Sequence, residues 1–208
     1  MIYFDTDYMA GAHPKVMERL LQTNSEQTVG YGSDGYTLRA KELVKQACSA
    51  PYARVYFLVG GTQTNSTVID GVLEHHEGVL AAESGHINVH ESGAIEATGH
   101  KVLTLPSYDG KVKAEDVRNF IANFYSDDTY EHMVAPGMLY ISFPTEYGTI
   151  YSLNELEYPV FLQQSSIFLH QRNGEARMQA RFFSHDGSSH ASHLLTDLTQ
   201  VQEGQHVF

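Results

Sequence analysis

Two glycines and a threonine stand between an apolar run and a helical pattern, an order that suits phosphate binding. Gly60 and Gly61 let a ligand approach the backbone closely, and Thr62 is a good N-cap for a helix predicted over residues 63–76. The N-terminus of a helix offers unpaired N–H groups and a partial positive charge. The pattern predicts a phosphate site, and an ordinary strand-to-helix turn is the alternative.

Histidines form the second group of residues that could do chemistry. His86 and His90 are four residues apart, so on a helix they would share a face and could bind a metal. No third ligand follows at a convincing spacing, so we predict no metal there. His75 and His76 are predicted to be solvated at a helix C-terminus. The His- and Ser-rich tract at 184–193 leaves a metal-binding tail open.

Composition and charge exclude several classes of function. The 208 residues suffice for one good core, and 42% hydrophobic with 18% charged residues is typical of a globular chain. A net charge of -12 leaves no basic stripe for nucleic acid. The single cysteine, Cys48, fits a reducing compartment. No signal peptide or membrane-length apolar segment is visible, so we expect a cytoplasmic protein without a membrane partner.

The elements that must position these residues alternate between strands and helices. Apolar runs predict strands at 54–59, 78–82, 101–105 and 138–143, the first of them buried. Helical spacing predicts helices at 15–21, 36–47, 87–91 and 114–125, besides the one after Thr62. This alternation is the signature of a parallel α/β sheet.

The regular rhythm stops near Glu157. Residues 158–208 contain no lysine and five of the twelve histidines. One strand is predicted within 159–169, and the rest shows no sustained period. We therefore predict an α/β domain over residues 1–157 and an irregular tail over residues 158–208.

Five short segments occur in an order known from one enzyme family. They are Phe4–Tyr8 with Gly11–Pro14, Gly30–Asp34, Gly60–Asn65, Gly85–Ala94 and Tyr140–Leu153. Together they resemble the threonine aldolase branch of the aromatic amino acid β-eliminating lyase family, whose members are fold-type-I enzymes that use pyridoxal phosphate (PLP). The resemblance implies a partial fold-type-I large domain with a mostly parallel sheet, followed by the irregular tail.

The same resemblance assigns roles to the glycine–threonine turn and to His86. Gly61 and Thr62 correspond to the family's cradle for the cofactor phosphate. His86 corresponds to the histidine that lies over the pyridine ring and handles the proton of the substrate hydroxyl. Imidazole suits that task because it titrates near neutral pH.

Further positions follow more loosely from the resemblance. Thr6 and Tyr31 fall where the family contacts the substrate carboxylate or the neighbouring subunit's cofactor. Glu91 lies in the family's Glu-x-Gly-Ala element, where we expect it to buttress His86. Tyr140 is predicted to be a core or dimer-contact aromatic.

Two parts of the family's pattern are missing from this chain. The resemblance implies a lysine that forms a Schiff base with PLP and an aspartate that pairs with the pyridinium nitrogen, both after the Pro-Thr-Glu-Tyr-Gly segment. The last lysine here is Lys113, and the nearest Asp-Gly-Ala-Arg-like stretch, at 173–177, lacks the aspartate. We therefore expect no covalent PLP attachment and a chain that is inactive or nearly so.

The resemblance implies a carbon–carbon lyase that cleaves a β-hydroxy-α-amino acid to glycine and an aldehyde. It also implies a homo-oligomer that acts on a small amino acid substrate. Because the family pattern breaks near Glu157, our hypothesis is a truncated member with a replaced or frameshifted end. Two alternatives stay open: a non-catalytic remnant that binds PLP or phosphate or pairs with an intact homologue, and a metal-binding protein that uses the tail histidines.

Overall fold

Two compact units make up the chain, and the computed structural model describes residues 11–152, 154–155, 166–170 and 180–181. The first unit comprises Met1–Tyr56 with Leu195–Phe208, and the second comprises Phe57–Leu194. Thr6 and the 184–193 tract lie outside the described residues. The boundary near Glu157 stays a prediction.

The described part of the first unit contains two helices, α1 (Pro14–Thr23) and α2 (Gly35–Ala47). Both confirm the helical spacing in the sequence. Asp34 caps α2 by accepting hydrogen bonds from the Thr37 backbone N–H at 2.8 Å and the Thr37 hydroxyl at 2.6 Å. The hydroxyl bond is the main reason that the pKa of Asp34 is lowered.

The second unit is built on a five-stranded sheet of order β2-β1-β3-β4-β5. Its elements are α3 (Gly61–Val72), β1 (Glu77–Ala82), α4 (His86–Val89), β2 (Val102–Leu105), α5 (Ala114–Ser126), β3 (Ala135–Ser142), β4 (Ser166–His170) and β5 (Ala180–Arg181). The first four strands are parallel, and β5 pairs antiparallel with β4. The predicted parallel α/β sheet is confirmed. Within the described ranges, no helix combines the length and the apolar character needed to cross a membrane.

Apolar side chains cover both faces of the sheet. Successive side chains of a strand point to opposite faces. Val79 therefore packs with Ile69 of α3 in one buried cluster, whereas Leu80 packs with Val117 of α5 in another. Burial on both faces explains why β1 and β3 are continuous apolar runs rather than alternating ones.

The segment before α3 departs from the sequence prediction. Residues 54–59 form no strand, and Phe57 and Val59 are 55% and 93% exposed. The β-branched and aromatic composition was misleading, because a strand also needs a neighbour for its hydrogen bonds. Gly60 rather than Thr62 is the N-cap, so α3 begins at Gly61, and it ends at Val72 instead of residue 76.

The predicted irregular tail contains two short strands. β4 overlaps the stretch at 159–169 in which one strand was expected, and it pairs in register with β3. β5 was not expected, because two residues are too few to show an alternating pattern.

An exposed ion pair fastens the chain after β3 to the loop after β2. Glu155 Oε2 accepts hydrogen bonds of 2.7 Å from both the backbone N–H and the hydroxyl of Ser152, and Lys111 Nζ lies 3.1 Å from both carboxylate oxygens. The backbone bond from Ser152, then its hydroxyl, then Lys111 lower the pKa of Glu155 to about 2.

Replacing Glu155 with Gln is expected to lower stability most near neutral pH. Folding depresses the pKa of Glu155, so its carboxylate stabilises the fold at pH values above its pKa in the unfolded chain, about 4.5. This stabilisation is lost as the pH falls through the folded-state pKa of about 2. Thermal unfolding of the wild type and Glu155→Gln should therefore differ near pH 7 and converge near pH 2. Glu131→Gln, at an exposed position, is the control. A difference that is constant with pH would refute the assignment.

Candidate functional site

His86 begins α4 directly after the carboxyl end of β1. The connecting turn is tight: the Gly85 N–H donates to Ala82 O at 2.8 Å, and a Cβ on Gly85 would lie 2.9 Å from that oxygen. Glycine is therefore required here, and His86 is held in place with only 8% exposure. The carboxyl ends of parallel strands are where open α/β sheets bind ligands.

A buried carboxylate joins this histidine to α3. Asn65, in the second turn of α3, donates through Nδ2 to Glu91 Oε1 at 2.6 Å, and both residues are buried. The same Oε1 atom lies 3.6 Å from His86 Nε2. Because buried hydrogen bonds to a charged group are strong, this contact fixes α3 relative to the histidine.

A second carboxylate approaches the other nitrogen of the ring. Glu146 follows β3, and its Oε1 lies 3.2 Å from His86 Nδ1 while its Oε2 lies 3.6 Å from His90 Nε2. The two histidine rings are 5.4 Å apart between centroids. His86 is thus placed between two carboxylates, one at each ring nitrogen.

His86, His90, Asn65, Glu91 and Glu146 form the histidine cluster. Tyr140 of β3 lies on the core side of this cluster and is 1% exposed. Burial, above all, raises the pKa of its hydroxyl far above the usual value, and the nearby Glu91 and Glu146 act in the same direction. Hydrogen bonds with Ser142 and Asn65 offset part of this rise. The phenol therefore stays protonated, and Tyr140 is a core residue as predicted.

The first turn of α3 has the properties of an anion site. No side chain caps the helix, and Gly60 O already accepts from the Thr64 N–H at 3.0 Å and the Thr64 hydroxyl at 2.9 Å. The N–H groups of Gly61, Thr62 and Gln63 have no acceptor within the helix. All three residues are exposed, so a phosphate can reach these donors.

The structure brings some of the predicted site residues of the second unit together. His86 and Glu91 lie in one cluster. Helix α3 begins with Gly61 and Thr62 and carries Asn65, which contacts Glu91. Tyr31 belongs to the first unit and is exposed, with a positive φ of 61°. The roles predicted for His86, Glu91, Gly61, Thr62 and Tyr31 stay predictions. Among the described residues, no group of three or more His, Cys, Asp or Glu side chains could hold a metal.

Two residues of the cluster were missed by the sequence analysis. Asn65 ends the family-like segment Gly60–Asn65 but received no role, although it lies one helical turn after Thr62. Glu146 lies within a family-like segment but received no role. The signal for Glu146 was its place just after the carboxyl end of the strand predicted at 138–143.

The fold and the cluster together define the class of protein. A parallel sheet that carries a helix N-terminus and a buried histidine at its carboxyl edge is the large-domain architecture of fold-type-I enzymes. The chain belongs to the Beta-eliminating lyase family, whose model matches residues 4–160. This confirms the family inferred from the sequence segments. Enzymes of this family depend on PLP.

Known proteins similar to this chain include threonine aldolases. The low specificity L-threonine aldolase of Pseudomonas aeruginosa is 28% identical over 156 residues, which are 74% of this chain and 44% of the relative. The solved threonine aldolase of Leishmania major is 40% identical with a TM-score of 0.73, over 78% of this chain and 47% of that one. The OvoB structure, 15% identical with a TM-score of 0.52 over 76% of this chain and 50% of that one, shares the fold. This chain spans about half the length of these relatives.

Proposed function

We propose that this chain is a threonine aldolase-type domain that binds PLP through its phosphate without a covalent anchor. The observation that carries the proposal is the uncapped N-terminus of α3, with Gly61 and Thr62 in its first turn. The likeness to the Leishmania major enzyme supports the assignment, because it extends over 78% of the chain at 40% identity.

The donors of this turn fit the phosphate of PLP. The N–H groups of the first turn and the Thr62 hydroxyl would hold its oxygens, and the helix dipole favours the negative charge. When bound, PLP supplies an electron sink for the carbanion left by carbon–carbon cleavage. His86 is the proposed acceptor of the proton of the substrate β-hydroxyl. Glu91 Oε1 lies 3.6 Å from its Nε2 atom.

The covalent part of the proposed site has no counterpart in the sequence. The chain contains no lysine after Lys113, and the 173–177 stretch lacks the aspartate that the family pairs with the pyridinium nitrogen. We therefore propose that the 208-residue chain holds PLP reversibly and has little or no lyase activity. A non-catalytic member that pairs with an intact homologue is the second candidate, favoured by the same missing lysine.

Substituting Thr62 with Val is expected to weaken PLP binding about tenfold, because one hydrogen bond to a charged phosphate is lost. The dissociation constant is measured by titrating the full chain with PLP and following its absorbance. Thr67→Val is the matched control, because Thr67 is exposed on the same helix beyond the first turn. Equal affinities of the two variants would contradict the proposed phosphate site.

Several finer features of the function belong to the same proposal. The names of the relatives support a small β-hydroxy-α-amino acid as substrate. The family resemblance supports a homo-oligomer, which sedimentation velocity of the full chain tests. Exposed Phe57, Leu58 and Val59 give it an apolar surface to bury. The single cysteine, Cys48, supports a cytoplasmic location. The metal-binding alternative concerns the tail histidines of the 184–193 tract, which lie outside the described residues.

A further inference from the structure

Glu146 contacts both histidines of the cluster through different oxygens. We propose that it is a positioning residue, which fixes the ring of His86 and keeps a hydrogen on its Nδ1 atom. The proposal rests on the proposed function, because the orientation of His86 matters only if this ring meets cofactor and substrate.

The loop that carries Glu146 is held rigidly. The Thr145 N–H donates to Thr149 O at 2.9 Å, and the hydroxyls of these two residues are 2.7 Å apart. The Thr149 hydroxyl also donates to Asp109 O at 2.6 Å, which ties the loop to the segment after β2. Glu146 therefore extends from a fixed backbone, as a residue that orients another must.

The loop that carries Glu146 packs closely against the loop after β2, and this contact requires a glycine in the loop after β2. Gly110 has a φ of +80°, and a Cβ there would lie 2.7 Å from the Thr145 hydroxyl oxygen. The two loops can approach this closely only because position 110 has no side chain. This packing holds Thr145, and with it the neighbouring Glu146, in place.

The distances favour a hydrogen on Nδ1 of His86. Glu146 Oε1 lies 3.2 Å from Nδ1, whereas Glu91 Oε1 lies 3.6 Å from Nε2 and already accepts a 2.6 Å hydrogen bond from Asn65. A carboxylate only accepts, so the nearer one draws the ring hydrogen to its own side. Which of the two ring nitrogens carries the hydrogen is set by the hydrogen bonds that the ring makes.

The contact at Nδ1 also fixes the plane of the ring. Glu146 Oε1 lies 3.2 Å from Nδ1, so rotation of the imidazole would break this contact. A ring that lies over a flat cofactor must keep its plane, and its reach toward a substrate proton depends on the same angle. Glu146 thus works through His86 rather than on the substrate itself.

Ring-nitrogen NMR of the cofactor-free full chain, labelled with ¹⁵N-histidine, tests the proposal. His86 is assigned from the signal lost in His86→Gln. We expect a hydrogen-bearing Nδ1 in the wild type, its loss in favour of Nε2 in Glu146→Ala, and its retention in Glu146→Gln, whose amide oxygen still accepts. Glu131→Gln, at an exposed site, should leave the signals unchanged.

Two results would overturn the proposal: an Nδ1 without hydrogen in the wild type, or the same Nδ1 signal in Glu146→Ala. The wild-type measurement alone decides the first, so the test survives if the alanine variant does not fold.

A PLP titration separates this proposal from the function on which it rests. Glu146→Ala should bind PLP about tenfold more weakly, with Glu146→Gln close to the wild type. If the wild type binds no PLP, the proposed function fails while the NMR result stands.

Discussion

Threonine cleavage by the 208-residue chain is expected to be at least about 10²–10⁴-fold slower than by a family member that has the lysine. The last lysine is Lys113, so no amine follows the Pro-Thr-Glu-Tyr-Gly segment to serve as the covalent participant. In the proposed function, His86 would still accept a proton without the family's lysine. Proton transfer alone does not replace the missing group, because residues that act as a unit have effects that do not add.

The rate is measured as glycine and aldehyde released from L-threonine with PLP in excess. The low specificity L-threonine aldolase of Pseudomonas aeruginosa, assayed in parallel, gives the reference rate. His86→Ala should not reduce the residual rate of this chain much further, because the covalent step already limits it. A rate within about tenfold of the reference enzyme would refute the expectation of inactivity.

Replacing Asn65 with Leu is expected to destabilise the second unit by about 1.5–3 kcal/mol. The change removes the 2.6 Å hydrogen bond to Glu91 and leaves a carboxylate oxygen buried without that donor. The free energy of unfolding from urea titration measures the loss. PLP affinity should fall as well, because the first turn of α3 is no longer fixed relative to His86.

A double-mutant cycle separates this contact from simple repacking. Replacing both partners of a buried hydrogen bond with apolar side chains is often close to neutral. The pair Asn65→Leu with Glu91→Leu should therefore cost less than the two single changes added together. Ser66→Ala is the control, because it removes only a 3.4 Å bond to Ala94 O from the same helix. If Asn65→Leu costs no more than Ser66→Ala, the contact does not join α3 to the cluster.

Much of the fold follows from local patterns in the sequence. The helical spacing of Val117 and Phe124 predicted α5, and both side chains are buried. The apolar runs that became β1, β2 and β3 were recognised because strands buried on both faces lack polar interruptions. Residues 54–59 have a similar composition and form no strand. Local composition cannot show whether a run has a strand beside it to pair with.

The site was predictable only where its parts are close in the sequence. His86 and Glu91 belong to one short segment, so a family-like pattern could connect them. Asn65 and Glu91 are 26 residues apart, and their contact arises from the packing of α3 on the sheet. Glu146 reaches His86 because β3 lies beside β1, although β2 separates them along the chain. Contacts of this kind depend on strand order, which no local pattern encodes.

Borohydride reduction of the PLP-treated full chain tests the central claim most directly. The claim is that the first turn of α3 holds the cofactor phosphate while no lysine holds the cofactor covalently. We expect PLP to bind, to be removed by dialysis, and to leave no stoichiometric lysine adduct in the mass spectrum after reduction. The six lysines to be checked are Lys15, Lys41, Lys45, Lys101, Lys111 and Lys113. A stoichiometric adduct at any one of them, formed in the wild type and diminished in Thr62→Val, would contradict the claim.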